Sequence, residues 1–207
     1  MMRRKVRRGM NNVSYRFDGD IVYGTLPDGT VFLFDRDNLP IVDAMKWYPC
    51  LCQYNNSLYI TNSNGKKLHR HLMGCPPGME IDHISLDTLD NRRCNLRVCT
   101  HQQNQINQPL QRNNSSGVAG VSFYPPRGKY RARIKVCQHD IHLGYYPSFD
   151  EAVQARNVGI EYMFGEYGRY NETPPAPEWI RGKVYEQCLR FADLSVSGAF
   201  FRGQKAG

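Results

Sequence analysis

The sequence predicts an α+β chain: a small β-rich scaffold, a strand–loop–strand–helix core, and a three-stranded antiparallel sheet packed on one helix. Three observations carry this. Residues 21–25 and 30–34 flank Pro27-Asp28-Gly29, a turn sequence suited to closing a hairpin. Thr100 and Gln103 have the spacing of a capping box, which starts a helix just before His101 and after short apolar runs at 79–84 and 96–98. Residues 130–136 alternate strictly, with Tyr130, Ala132, Ile134 and Val136 on one face and Arg131, Arg133 and Lys135 on the other.

The elements follow in order. Residues 1–67 comprise a basic arm, Met1-Met2-Arg3-Arg4-Lys5-Val6-Arg7-Arg8, and the β-rich scaffold. Within the scaffold a short helix is expected over 39–47 and a further strand over 58–61, ahead of the turn-forming Asn62-Ser63-Asn64-Gly65. Residues 68–112 hold a dense set of polar side chains. Asn113-Asn114-Ser115-Ser116-Gly117 reads as a linker opening a module over 113–171, whose helix spans about 149–164 with Ala152, Ala155 and Ile160 buried. Thr173-Pro174-Pro175-Ala176-Pro177 then interrupts the chain within 172–207, before a helix at about 178–191 expected to pack back on the scaffold.

Composition narrows the class. With 207 residues, 41% hydrophobic and 12% aromatic, the chain is globular. No apolar run approaches the roughly 18 residues of a membrane span, and no apolar stretch follows the basic arm, so neither a membrane partner nor a secretory signal is expected. The formal net charge of +8 points to a polyanion, without separating nucleic acid from an anionic surface. Seven cysteines at 50, 52, 75, 94, 99, 137 and 188 form no C-x-x-C pair, which suits reduced thiols in the cytoplasm and not a zinc cage.

In the polar cluster, a strand ending at Asp82-His83, a loop, a returning strand and a capped helix can bring Asp82, His83, Asn95 and Asn104 together. A carboxylate and an amide oxygen are hard ligands that suit Mg²⁺ or Mn²⁺. An imidazole can take a proton from water near neutral pH, and an amide carbonyl from Asn95 can fix its tautomer. These are parts for phosphodiester hydrolysis. On the residues alone a second reading stands beside it: an Asp-His turn with loop asparagines that cap turns.

Leu68-His69-Arg70, Asp82-His83-Ile84, Leu89-Asp90-Asn91-Arg92, Asn95-Leu96-Arg97-Val98 and Asn104 resemble the HNH endonuclease family, nearest its phage-type homing branch. Asn95 follows His83 by twelve residues and Asn104 follows Asn95 by nine, which is the branch's spacing. The resemblance implies a ββα-metal core in which Asp82 and Asn104 bind one divalent ion, Mg²⁺ or Mn²⁺, His83 is the general base and Asn95 orients His83. Asn104 stands where the family name implies a histidine, and His101, three residues earlier, is a rival ligand. His69 aligns with a recurrent His-Arg of the branch, which implies contact with DNA or support of the metal site, and on its residues reads as packed beneath the hairpin; Leu89 to Arg92 shape the loop, with Arg92, Arg93 and Arg97 also available to phosphates.

On the second module's strand, three like charges with no acidic partner nearby favour an anionic ligand over plain solvation. Ser116-Gly117-Val118-Ala119-Gly120-Val121, Gly128-Lys129-Tyr130-Arg131-Ala132, His142-Leu143-Gly144-Tyr145-Tyr146 and Asp150-Glu151-Ala152 resemble the APETALA/ethylene-response-factor DNA-binding domain. That resemblance implies a sheet in the major groove, with Arg127, Lys129, Arg131, Arg133, Lys135 and His142 facing DNA. Tyr130 and His142 stand where the plant domains commonly carry tryptophan, so no sequence preference transfers. The expected function is a metal-dependent HNH DNA endonuclease, a phage or mobile-element homing-type enzyme acting on double-stranded DNA as a monomer without a small-molecule cofactor. The alternative is an HNH-derived DNA-binding regulator without activity, against which all four site side chains argue.

Overall fold

The computed structural model describes residues 7–8, 12–53, 55–110, 114 and 116–196. The basic arm apart from Arg7 and Arg8, part of the linker at 113–117, and the tail after Val196 lie outside the described residues. The chain forms two compact units, Met1–Asn107 and Gln108–Gly207. It is a mixed α and β protein with several small antiparallel sheets and, among the described residues, five α-helices. None of these helices is long and apolar enough to cross a membrane.

The first unit opens with a sheet of β1 (Arg7–Arg8), β2 (Ser14–Asp18), β3 (Ile21–Thr25) and β4 (Val31–Asp35), paired in chain order. The β3–β4 turn forms as expected, and Asp28 accepts from both the amide and the hydroxyl of Thr30. Val22, Phe32 and Phe34 point from one face of this sheet into a core with Val42, Trp47, Ile60 and Leu68.

The helix expected over 39–47 is shorter. Helix α1 is Leu39–Asp43, and Trp47 already starts strand β5 (Trp47–Cys52), which pairs with β6 (Ser57–Asn62). Trp47 decides that ending. Its indole N–H donates to the Val42 carbonyl at 2.8 Å, satisfying a last-turn acceptor, while Asn12 brackets its backbone N–H and C=O. Helix α2 (Leu68–Leu72) buries Leu68 and Leu72 in the same core. Next come β7 (Glu80–His83), β8 (Leu96–Cys99) and α3 (His101–Ile106), with Thr100 and Gln103 closing the predicted capping box. The loop before β8 is sewn to the scaffold: Leu33 exchanges backbone hydrogen bonds with Leu89 and Asn91, and Asp35 accepts from the Arg93 amide.

The second unit holds β9 (Val121–Tyr124), β10 (Lys129–Val136) and β11 (His139–Tyr146), with β10 central, backed by α4 (Phe149–Phe164). Ser148 and Glu151 close a capping box at the start of α4, and Gly159 lets the helix sit tight on the sheet. A Cβ there would lie 2.7 Å from Leu143. The last helix, α5 (Glu178–Val196), packs on α4 and β11 within its own unit. The reason is the stripe of Ile180, Val184 and Cys188, four residues apart and fully buried.

Candidate active site

Strands β7 and β8 pair antiparallel with Asp82 opposite Arg97 and His83 opposite Leu96. Successive side chains on β7 project to opposite faces, so Glu80 and Asp82 share one side and Ile81 and His83 the other. On the first side Asp82, 4% exposed, accepts from Arg97 Nε at 2.9 Å and Nη2 at 2.7 Å, and from Asn107 Nδ2 at 3.0 and 3.1 Å. The same Asn107 amide donates to the backbone carbonyls of His83 and Ile84. Glu80 lies next along the strand and holds α3: Asn104 donates to one carboxylate oxygen and His101 Nδ1 contacts the other. Burial raises the Glu80 pKa, but the bonds from Asn104 and His101 outweigh it, leaving the carboxyl below its ordinary range.

His83 occupies the other side. Its ring stands edge-on to His69, with centroids 4.7 Å apart and planes at 83°, and Tyr59 lies beyond at 6.2 Å. Its Nε2 is buried and has no hydrogen-bond partner. Burial lowers the His83 pKa; a hydrogen bond to the Asn91 side chain and the charges of Asp82, Asp87 and Asp90 oppose that without overcoming it. His69, buried as expected, is pushed down to about 2, chiefly by burial. Both imidazoles are therefore neutral at neutral pH.

Asn95 spans the intervening loop. Its Oδ1 accepts from the Ser85 amide at 2.9 Å, and its Nδ2 donates to the Asp87 and Asp90 carbonyls at 3.3 and 2.8 Å. Between Ser85 and Asp87 lies Leu86, a non-glycine residue at φ +68°, a backbone conformation that an L side chain rarely adopts. Asn95 thus ties down both flanks of a strained residue. Arg92 is committed to Asp90 through Nε and Nη2 at 2.8 and 2.6 Å, and Arg97 to Asp82, so two of the three arginines available to phosphates on sequence grounds have carboxylate partners.

The structure thus gathers Asp82, His83 and Asn95 within one hairpin and places Asn104 on the helix beside it, bonded to Glu80. Three participants escaped the sequence reading. Asn91 reads from the sequence as a loop residue with no signal of its burial; Asn107 repeats Asn104 at a spacing of three; Glu80 shares a strand face with Asp82. As for a metal, the oxygens of Asp82 and of the asparagine amides are hard donors, and their chemistry fits a hard divalent cation. Among the described residues no three His, Cys, Asp or Glu side chains gather as a ligand group.

The second unit presents the predicted cations on the outer face of its sheet. Arg131 lies opposite Tyr145 and Arg133 opposite His142, while Ala132, Ile134 and Val136 are buried against α4. Arg127 stacks 4.5 Å from the Tyr145 ring centroid, and Arg131 Nε is buried without a partner. The absence of an acidic partner expected from the strand does not hold: Asp140, brought across by the β10–β11 register, pairs with Arg133 at 3.4 Å. His142 is held below its ordinary value by burial and then by Arg131, Lys183 and Arg127.

Comparison with known proteins bears on the same stretch of the first unit. The family model for HNH endonucleases matches residues 67–106, the stretch from the start of α2 to the end of α3. An uncharacterized HNH endonuclease of Acanthamoeba polyphaga mimivirus is 30% identical over 162 residues, covering 73% of this chain and 82% of the relative. No solved structure matches the chain. With the family model on the hairpin and helix that carry Asp82, His83, Asn95 and Asn104, and a relative aligned over most of both lengths, the chain belongs to the HNH endonuclease family.

Proposed function

We propose that this chain hydrolyses DNA phosphodiester bonds with His83 as general base and a single divalent cation, Mg²⁺ or Mn²⁺, held by Asp82 and Asn104. The observation that carries the reading is His83 Nε2, buried and unpartnered on a ring whose pKa is lowered. A neutral imidazole with an open lone pair accepts a proton from water; a protonated or fully bonded one does not. Asn91 and His69 hold the ring's orientation, and Asn95 positions it indirectly, through the loop that carries Asn91. Arg97 and Asn107 keep the Asp82 carboxylate in place. When bound, the cation neutralises charge on the phosphate and the departing 3′ oxygen.

Substrate is held by the second unit. Its outer sheet face, with Arg127, Lys129, Arg131, Arg133, Lys135 and His142, lies on duplex DNA as the APETALA/ethylene-response-factor resemblance implies. The reading extends to a homing-type enzyme of phage or mobile-element kind. A chain with one such site nicks one strand per encounter. The test is nicking of supercoiled plasmid in Mg²⁺ or Mn²⁺, with His83→Ala as control. Wild-type protein that binds the plasmid yet leaves it supercoiled in both metals would sink the proposal.

A further inference from the structure

Helix α5 does more than close the second unit's core. A cleft of about 610 Å³ opens between it and the sheet, lined among others by Arg127, Lys129, His142, Tyr145, Lys183 and Gln187. We propose that α5 is a second DNA-contacting element, with Lys183 and Gln187 gripping phosphodiester groups of the duplex from one wall of this cleft and Arg127 and Lys129 from the other. The inference rests on the reading that the sheet face holds DNA, and adds an element that the resemblance to the plant domains does not contain.

Three observations support it. The first is how Lys183 is placed. Strand β11 is an edge strand, and the outward carbonyl of Tyr145 accepts from Lys183 Nζ at 3.4 Å while the ammonium lies 4.4 Å from the Tyr146 ring centroid. The side chain is thereby led over the strand edge into the cleft. The second is Gly144, at φ +134°, where a Cβ would come within 2.8 Å of Lys183 Cε and Nζ. A glycine there leaves the lysine its path.

The third is charge. Among the described residues none of Arg127, Lys129 and Lys183 makes an ion pair, and no carboxylate lines the cleft. Burial and then the Lys129 charge lower the Lys183 pKa, with Glu151 opposing. Like charges gathered at a cleft are unfavourable until an anion neutralises them. A duplex supplies evenly spaced phosphates along both walls, and Gln187, one turn after Lys183 on the same helix face, offers an amide donor to the next.

The test uses the full chain carrying His83→Ala, so that DNA stays intact, and measures binding of a 30-base-pair duplex, a length of about three helical turns, by fluorescence anisotropy across a salt series. Lys183→Gln is expected to weaken binding by about fivefold to tenfold near 0.1 M salt and to flatten the log–log salt slope by about 0.9, the effect of one lost phosphate contact. Lys183→Arg should bind as the parent does, which separates loss of charge from loss of fold. Gln187→Glu should weaken binding at least as much as Lys183→Gln. Arg190→Gln, on the same helix but outside the cleft lining, should stay within about twofold, an allowance for its diffuse attraction.

Parental binding by Lys183→Gln and Gln187→Glu, with Arg131→Ala/Arg133→Ala still impaired, would overturn the role of α5 and leave the sheet reading standing. Equal losses in Lys183→Gln and Arg190→Gln would also overturn it, by reducing the effect to net charge. Parental binding by Arg131→Ala/Arg133→Ala would remove the sheet reading and the α5 inference together.

Discussion

The two units handle polar side chains in opposite ways. Around β7 and β8, Asp82, His83, Asn91, Asn95 and Asn107 are all buried, and their polar atoms run to one another or to nearby backbone. On the second unit's sheet and its β9–β10 turn, Arg127, Lys129 and Lys135 are exposed, and Arg133 has only an exposed partner in Asp140. A buried polar network is stable only when nearly complete, and among the described residues of this one His83 Nε2 is a buried atom left without a partner, which is why the proposed function places the general base there. An exposed cation costs little to maintain and gains its free energy when counterions leave a phosphate backbone. On the proposed function the first unit serves position and the second attraction, and substitutions in each should then fail differently.

The sharpest break is His83→Ala. It should lower the nicking rate by about 10²- to 10⁴-fold, the range for loss of a general base, with duplex affinity unchanged. Single-turnover nicking at saturating enzyme reads the first quantity and anisotropy the second. A matched loss of affinity would erase the division of labour between the units.

Asn95→Ala tests position rather than chemistry. It leaves the Ser85 amide and the Asp87 and Asp90 carbonyls without the side chain that joins them, at a cost of about 3 kcal/mol in stability to urea. Because the alanine also frees the flanks of strained Leu86, adding Leu86→Gly should recover part of that stability without recovering nicking. Recovery of both would make Asn95 a purely structural residue.

How much of this was readable in advance follows the same division. Local rules placed α4, whose ends are set by the Ser148–Glu151 capping box and Gly165, and the α3 start at Thr100. Strand alternation placed the buried and exposed faces of β10. What local rules could not reach were contacts made across the chain. Asp140 meets Arg133 only through the β10–β11 register, and Trp47 ends α1 through an indole bond and a bracket from Asn12, 35 residues away. For the proposed site, the HNH resemblance picked out Asp82, His83, Asn95 and Asn104 but not the Asn91, Asn107 and Glu80 partners, because a buried asparagine and a turn asparagine look alike until burial is known.

Arg131→Ala/Arg133→Ala probes the attractive side. Two lost phosphate contacts should lower duplex affinity by about 10- to 50-fold near 0.1 M salt and flatten the salt slope by about 1.8, while the nicking rate at saturating enzyme holds. Salt titration of the equilibrium and a saturating single-turnover assay check the two halves. A drop in the saturated rate with unchanged affinity would assign the sheet to the chemistry instead.

The smallest expected effect bears on the buried side alone. His69 is neutral in the folded protein because burial, with His83, Lys67 and Arg70 adding to it, pushes its pKa down to about 2. The unfolded chain titrates near the ordinary value of about 6.5, so between these limits it binds more protons than the folded one. The stabilisation from a neutral His69 is complete above that unfolded value and is lost as pH falls below it, by about 1.4 kcal/mol at pH 5.5 relative to pH 8. His83, also lowered, contributes with the same sign. Trp47 is fully buried in this unit's core and Trp179 is exposed on α5, so urea unfolding followed by fluorescence in Trp179→Phe reports the first unit. His69→Phe, which keeps a ring against His83 and cannot titrate, should flatten the fall in urea midpoint from pH 8 to 5.5. An equally steep fall in both proteins would assign the acid sensitivity to His83 or another group and leave His69 a packing residue that the network merely encloses.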